Sequence, residues 1–109
     1  MDDNPFAELA VTDRIIHEPG RLAVLSALSA CAGADFVFLQ RVTGLSRGNL
    51  SAHLTTLDKN GIVTITKGFN GKRPRTWVEL TASGQRAVTD YWRRMDRLRR
   101  AVADWRTDN

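Results

Sequence analysis

Four basic side chains and no acidic one lie within nine residues, Lys67-Gly68-Phe69-Asn70-Gly71-Lys72-Arg73-Pro74-Arg75. Lysine and arginine at this density neutralise phosphates, and they can also enter the minor groove of DNA. The glycines permit tight turns, so the segment is a candidate hairpin loop whose Lys67, Lys72, Arg73 and Arg75 contact DNA. An exposed turn kept soluble by its charge is the alternative, and Phe69 is able to fold back onto a sheet.

A second group of side chains suited to DNA lies just upstream, between Ser46 and Thr56. On a helix with Leu50 at the centre of its buried face, the small polar residues fall on the outer side. There Arg47 suits guanine and Asn49 suits adenine, while hydroxyl groups suit phosphate oxygens. A solvated helix on which Ser46 is only a cap is the alternative. The candidate DNA contacts on this helix are Ser46, Arg47, Asn49, Ser51, Ala52, Thr55 and Thr56.

The other reactive residues do not form a pattern typical of an enzyme or a metal site. His17, Cys31 and His53 lack the spacing of zinc ligands, and no phosphate-binding loop or nucleophile–base arrangement is present in the sequence. We therefore expect no catalytic residue, no metal and no cofactor. Cys31 is predicted to be a small buried hydrophobic residue, and His53 a hydrogen-bonded packing residue.

Charge is distributed unevenly along the 109 residues, whose formal net charge is +4. Residues 1–35 contain two bases and six acids, whereas residues 36–109 contain fourteen bases and six acids. A basic second half indicates a polyanionic partner such as nucleic acid. The acidic N-terminus, the single cysteine and the lack of a long apolar run predict a cytoplasmic protein without a membrane partner.

Hydrophobic periodicity predicts the elements that must position these side chains. Leu50, Leu54 and Leu57 give one helix its buried stripe, and β-branched residues after Gly61 indicate a change to strand. The predicted elements are a short helix over Glu8–Ile16, helices from Pro19 to about Cys31, from Phe36 to Gly44 and from Ser46 to Lys59, strands over Ile62–Thr66 and Thr76–Leu80 separated by a loop over Gly68–Arg75, and a final helix from Ala82 to about Trp105.

This order predicts a mainly α fold with a small β-hairpin, an α+β arrangement in one domain over residues 1–109. Two helices joined through the short turn 43–46 form a helix-turn-helix, and a basic hairpin directly after it is the signature of a winged helix. We expect a recognition helix at 46–59, a wing at 67–76 and a long C-terminal dimerisation helix at 82–106.

The run 44–54 (GLSRGNLSAHL), together with Gly61, the PRT of 74–76 and the LT of 80–81 followed by Gly84, resembles bacterial winged-helix transcriptional regulators of the MarR/ArsR-like superfamily. The similarity lies in the compact branch with the pattern GNLSxHL…PRT…LT and covers about residues 17–95. It implies a DNA-binding homodimer. It does not identify the operator or an effector, although an unknown small-molecule effector remains open.

The final helix carries an apolar stripe that steps by three and four residues, longer than so small a domain needs for its own core. We predict that it packs against a two-fold mate, together with the N-terminal helix around Leu9 and Val11. Packing on its own domain alone is the alternative. The candidate interface residues are Leu9, Val88, Tyr91, Trp92, Met95, Leu98, Val102 and Trp105.

Taken together, the residues predict a sequence-specific regulator that binds double-stranded promoter DNA as a homodimer, most often as a repressor, and is not an enzyme. A different class of function fits the same fold. The winged helix can serve as a protein-interaction module whose basic surface faces an acidic partner.

Overall fold

The computed structural model of the chain describes residues 4–10 and 13–108. Its fold is mainly helical with a small antiparallel sheet, which confirms the predicted fold class. Val11, expected beside Leu9 on the dimer surface, lies outside the described residues. The elements are α1 (Pro5–Ala10), α2 (Pro19–Ser29), β1 (Ala34–Asp35), α3 (Phe36–Thr43), α4 (Arg47–Lys59), β2 (Val63–Asn70), β3 (Arg73–Leu80) and α5 (Ala82–Asp108).

Side-chain caps set the starts of the three helices around the turn. Glu18 caps α2 by accepting from the backbone N–H groups of Gly20 and Arg21. Asp35 caps α3 with a 2.7 Å bond from the N–H of Phe38, and Ser46 caps α4 with a 3.1 Å bond from the N–H of Asn49. Each cap satisfies a donor that the first helical turn leaves unpaired.

The end of α3 depends on a glycine. Gly44 has φ of 72°, a left-handed conformation that a residue with a Cβ rarely adopts, and its N–H bonds the carbonyl of Gln40. The chain therefore reverses over three residues between α3 and α4, and this reversal brings the two helices together as a helix-turn-helix.

One hydrophobic core fixes the helices against the sheet. It receives Leu25 and Leu28 from α2 and Leu39 from α3, and Val78 of the middle strand is fully buried within it. The predicted stripe of α4 is confirmed, because Leu50, Leu54 and Leu57 are all buried. The recognition helix is therefore held by one face while its opposite face remains free.

The strands extend much further than the sequence pattern predicted. β2 and β3 pair without interruption from Val63↔Leu80 to Asn70↔Arg73, so the predicted loop over Gly68–Arg75 was wrong. Only Gly71 and Lys72 form the turn, and Gly71 has φ of 66°, as a two-residue turn with glycine first requires. Pro74 is tolerated because β1 pairs with β3 only at Val78 and Trp77 and leaves that side of the strand open.

The N-terminal segment differs from the predicted helix over Glu8–Ile16. Helix α1 covers Pro5–Ala10, and residues 14–16 form a turn instead. In this turn the Asp13 carboxylate accepts a 2.8 Å bond from the N–H of Ile15, and its carbonyl accepts a 3.0 Å bond from the N–H of His17. A short acidic side chain thus offers the backbone a local alternative to helix.

The long helix α5 begins at a cap that also joins it to the hairpin. Thr81 Oγ1 accepts from the N–H of Gly84 at 2.9 Å and lies 2.6 Å from the carbonyl oxygen of Gly61, to which it donates. A Cβ on Gly84 would collide with the carbonyl of Ile62, so only glycine permits this close approach. The far half of α5 is covered in part by α1, where Phe6 meets Trp105 edge-on at 6.2 Å and Glu8 pairs with Arg97.

Candidate nucleic-acid interface

A cleft of about 770 Å³ separates the recognition helix α4 from the hairpin wing. Its helix side presents Arg47, Ser51 and Thr55, and its wing side presents Lys67 and Arg73. The helix side therefore offers hydroxyl groups together with the Arg47 guanidinium, and the wing side offers basic side chains, a combination suited to phosphate oxygens and base edges. The other residues that line it are Asp35, Phe36, Val37, Gly48, Leu54, Ile65, Asn70, Pro74, Arg75 and Thr76.

Arg47, the first residue of α4, is oriented by the preceding helix. Its guanidinium lies over the ring of Phe36, 6.0 Å from the centroid, and Phe36 is itself packed against the core. An arginine stacked on an aromatic ring retains its donors at the edge of the guanidinium plane. The contact positions Arg47 at the mouth of the cleft without consuming its hydrogen bonds.

The other predicted residues of α4 occupy different parts of its outer side. Asn49 and Ala52 are exposed, Thr56 is half-buried, and Ser46 is exposed while its Oγ caps the helix. Ser51 and Thr55 are exposed and line the cleft. The Thr55 hydroxyl donates to the carbonyl of Ser51 at 3.0 Å and keeps its lone pairs available as acceptors.

The four bases of the wing are all exposed but are not equivalent. Lys67, Arg73 and Arg75 line the cleft, whereas Lys72 lies in the two-residue turn at the tip. Arg75 stacks on Trp77 at 4.4 Å, and the Trp77 indole N–H donates to Glu79 at 2.7 Å. The stacking holds the Arg75 guanidinium over the Trp77 ring, whereas Lys72 is exposed in the turn.

Sequence reasoning missed two apolar contributors to this side of the molecule. Val37 of α3, an apolar residue of the predicted helix from Phe36 to Gly44, lines the cleft and is 67% exposed. Phe69 does not fold back onto the sheet, because 74% of its surface is exposed. The alternation of side chains along β2 would have placed Phe69 correctly only if the strand had been predicted to reach it.

The two histidines and the cysteine considered as metal ligands or packing residues each have different neighbours in the structure. His53 is half-buried, with Nε2 at 3.3 Å from Glu18 Oε2, and Nδ1 of His17 lies 2.7 Å from the Tyr91 hydroxyl. Cys31 is exposed, so its predicted burial was wrong, because α2 ends at Ser29 and the cysteine falls beyond the helix. Among residues 4–10 and 13–108, no three His, Cys, Asp or Glu side chains are grouped so as to hold a metal ion.

The stripe predicted to face a second protomer divides into two parts. Val88 and Tyr91 are buried in the core of their own chain, which corrects the prediction at those two positions. The stripe begins to leave the core after Tyr91, since Met95 is only partly buried against it. The remaining members are the half-buried Leu9, Met95 and Leu98 and the exposed Trp92, Val102 and Trp105.

No helix of the described chain has the length and apolarity needed to cross a membrane.

Residues 21–99 match the family model of the winged helix DNA-binding domain. The chain is similar to a transcriptional regulator homologue from Pyrococcus horikoshii, at 30% identity and a TM-score of 0.77, covering 93% of this chain and 96% of that one.

Two further solved structures share the fold at lower identity. One is the PcaV transcriptional regulator from Streptomyces coelicolor in complex with its natural ligand, at 22% identity and a TM-score of 0.70, covering 89% of this chain and 67% of that one. The other is a MarR-family transcriptional regulator from Silicibacter pomeroyi, at 22% identity and a TM-score of 0.62, covering 84% and 59%.

The matched segment contains most of α5 together with the helix-turn-helix and the wing, whose residues line the cleft. This is a family of transcription regulators and not of enzymes. The chain therefore belongs to the winged helix DNA-binding domain family of transcriptional regulators.

Proposed function

We propose that this protein represses transcription by binding promoter DNA sequence-specifically as a homodimer. The observation that carries the proposal is the cleft between α4 and the wing, where Arg47 is held over Phe36 opposite Lys67 and Arg73. A duplex whose major groove receives α4 would place its backbone against the wing. Binding there, in the cytoplasm where the promoter lies, would exclude the transcription machinery.

The residues of α4 divide by chemistry into base-reading and phosphate-binding groups. Arg47 has the bidentate donors that guanine accepts, and Asn49 has the donor and acceptor that adenine needs. Ala52 is small enough to let the helix backbone approach the groove, and it offers a methyl contact to thymine. The proposed phosphate contacts are Ser46, Ser51, Thr55, Thr56, Lys67, Lys72, Arg73 and Arg75.

The homodimer is supported by the apolar surface that α1 and α5 leave exposed. Trp92, Val102 and Trp105 are 44%, 39% and 63% exposed along one helix, more than isolated surface residues would explain. Two-fold packing through this surface, with the half-buried Leu9, Met95 and Leu98 beneath it, would cover them. It would also set the two recognition helices against half-sites about 34 Å apart on a near-palindromic operator.

A small-molecule effector has support from the structure of PcaV, which was obtained with its natural ligand, and from that of NadR in complex with 4-hydroxyphenylacetate. In this chain a cavity of about 170 Å³ lies between the 13–16 turn and α5, lined partly by Ile16, Ala87 and Tyr91. Ligand sites usually have volumes of about 300–1,000 Å³. An effector of that size would therefore require this cavity to open, or a site shared between two protomers.

The test is fluorescence anisotropy of the purified protein with duplex DNA from upstream of its own gene, beside a scrambled duplex of equal length. Both are titrated at about 50 and 200 mM salt, because binding to phosphates alone weakens steeply over that range. We expect a preference on the order of a thousandfold that persists at the higher salt. Transcription from the same promoter in vitro should fall as the protein is added.

Equal, salt-sensitive binding to both duplexes would show that the basic surface binds DNA without sequence specificity. Absence of binding even at low salt would favour the alternative, a protein-interaction module with an acidic partner. If the protein stimulates transcription, the proposed DNA binding stands but the proposed repression is wrong.

A further inference from the structure

The tip of the wing carries an apolar pair within a basic segment. Phe69 of β2 lies opposite Pro74 of β3, one step before the pair Asn70↔Arg73 that closes the turn. Phe69 is 74% exposed, the largest exposed fraction among the large hydrophobic residues of the described chain. A large aromatic ring kept in water at the end of a hairpin requires an explanation beyond the stability of the fold.

Strand alternation shows which way this pair faces. Val63 and Ile65 turn towards the core, and two further steps of two residues place Lys67 and Phe69 on the same face of β2. From this face Ile65 and Lys67 line the cleft opposite α4. Phe69 continues the face about 13 Å beyond Ile65, at ~3.3 Å per residue, and lies next to Asn70 and opposite Pro74, which both line the wing end of the cleft.

The wing also fixes the backbone that presents the ring. Every residue of β2 from Val63 to Asn70 is paired with β3, and the turn consists of only two residues. A short, fully paired hairpin loses little conformational freedom when it binds a partner. The ring of Phe69 is thus displayed from an ordered support and not from a loose loop.

The charges around the ring restrict the kind of partner. Lys67, Lys72, Arg73 and Arg75 flank Phe69, and residues 67–76 contain no acid. The partner must therefore have an apolar slot that accepts the Phe69 ring and negative charge on both sides of that slot for the flanking basic side chains. The minor groove of duplex DNA has this arrangement, because phosphates form its walls while sugars and base edges form its floor.

We propose that Phe69 enters the minor groove as an apolar wedge, partly unstacks one base step and bends the operator. This inference rests on the proposed function, that the α4–wing face binds duplex DNA. Phenylalanine is among the side chains that act as such wedges, and pyrimidine–purine steps unstack most readily. Phe69 then selects a deformable step without a hydrogen bond to any nucleobase. The surrounding basic side chains contact the phosphates that form the groove walls.

The test compares Phe69→Ala and Phe69→Leu with wild type, and uses Lys72→Ala as the matched wing-tip control. The probe is the upstream duplex shortened to about 24 base pairs, ~80 Å at 3.4 Å per pair, with a fluorescence donor at one end and an acceptor at the other. Anisotropy gives the affinity and its salt dependence, and energy transfer gives the bend. Far-UV circular dichroism checks that each variant is folded.

We expect wild type to raise energy transfer and Phe69→Ala to abolish the rise, with affinity lower by about tenfold and the salt slope unchanged, because no phosphate contact is lost. Phe69→Leu should retain most of the bend, since leucine also serves as a wedge. Lys72→Ala should keep the bend and flatten the salt slope by about one unit.

If wild type binds the duplex but Phe69→Ala matches it in affinity and energy transfer, the wedge is overturned and the proposed function stands. Tighter binding to the single strand than to the duplex would mean that Phe69 stacks on unpaired bases, which also overturns the wedge. If wild type does not bind duplex DNA at all, both the wedge and the proposed function fail.

Discussion

A single carboxylate, that of Glu18, connects the start of α2 to the recognition helix. One oxygen caps α2, and the other lies 3.3 Å from Nε2 of His53 on α4. Partial burial by itself raises the pKa of this carboxyl, but the backbone N–H groups of Arg21 and Gly20 and the charges of His53 and Arg21 outweigh it, so the pKa lies below its ordinary value. The charged form of Glu18 therefore stabilises the fold that holds α4 in place.

This lowered pKa gives a prediction for stability against pH. Glu18 contributes stabilisation that is present above its unfolded-state pKa, about 4.3, and is lost as the pH falls through the lower folded-state pKa. Glu18→Gln keeps a capping oxygen but removes the charge. We expect its free energy of unfolding in urea to fall below wild type at pH 6–7 and the difference to disappear once the pH lies below the lowered folded-state pKa of Glu18.

The matched control for this measurement is Asp58→Asn, which neutralises an exposed carboxylate on the same recognition helix. It should not reproduce the pH-dependent difference. A deficit of Glu18→Gln that stays constant from neutral to acid pH would show that the charge of Glu18 contributes nothing.

At the scale of elements, the recognition helix and the wing are expected to contribute differently to binding. Arg47 at the start of α4 is placed to read a base, so Arg47→Ala should cost about 1–3 kcal/mol and relax preference at one base pair. Lys72→Ala and Arg73→Ala in the wing should weaken binding to all sequences alike and each flatten the salt slope by about one unit.

These effects are measured by anisotropy on the upstream duplex, on single-base variants of it and on a scrambled duplex, over a series of salt concentrations. Equal loss of affinity by Arg47→Ala on the operator and on scrambled DNA would show that Arg47 contacts only phosphate. A changed base preference in Lys72→Ala would show that Lys72 contacts a base and not only a phosphate.

Elements that carry a strong repeating pattern were predictable from the sequence, and elements made by pairing were not. The α4 stripe of Leu50, Leu54 and Leu57 and the cap Ser46 are local signals, and the structure confirms all of them. Strand β1 has only two residues and exists because Val78 and Trp77 of β3 offer it partners. A contact between segments so far apart leaves no periodicity to detect.

The wing shows the same distinction within the candidate site. Gly68 and Pro74 are residue types typical of loops, yet both belong to paired strands. Pro74 is tolerated there because β3 has a neighbouring strand on only one side at that position. The basic composition of the cleft was evident from the sequence. The exposure of Phe69 and the stacking of Arg75 on Trp77 depend on strand register, which composition does not specify.

At the scale of the whole molecule, α5 makes the protein elongated, with principal extents of 63 × 24 × 22 Å. Its 27 residues span about 40 Å at 1.5 Å per residue. The first half, with Val88 and Tyr91, completes the core, whereas the second half is covered only in part by α1 through the Phe6–Trp105 and Glu8–Arg97 contacts. A helix that extends so far beyond its core is stabilised most simply by a second copy of itself.

The homodimer therefore predicts a mass near twice 12.2 kDa in sedimentation equilibrium at micromolar concentration. Val102→Asp should shift the protein to the monomer, because a two-fold interface would bury two carboxylates close together without partners. Arg100→Ser changes the net charge by the same amount on another face of α5 and should leave the dimer intact. The wild-type dimer should also bind a duplex with two half-sites far more tightly than one with a single half-site, since the second recognition helix binds at high effective concentration. Wild type sedimenting as a monomer, or both variants dissociating alike, would show that the exposed stripe of α5 is not the surface that joins two protomers.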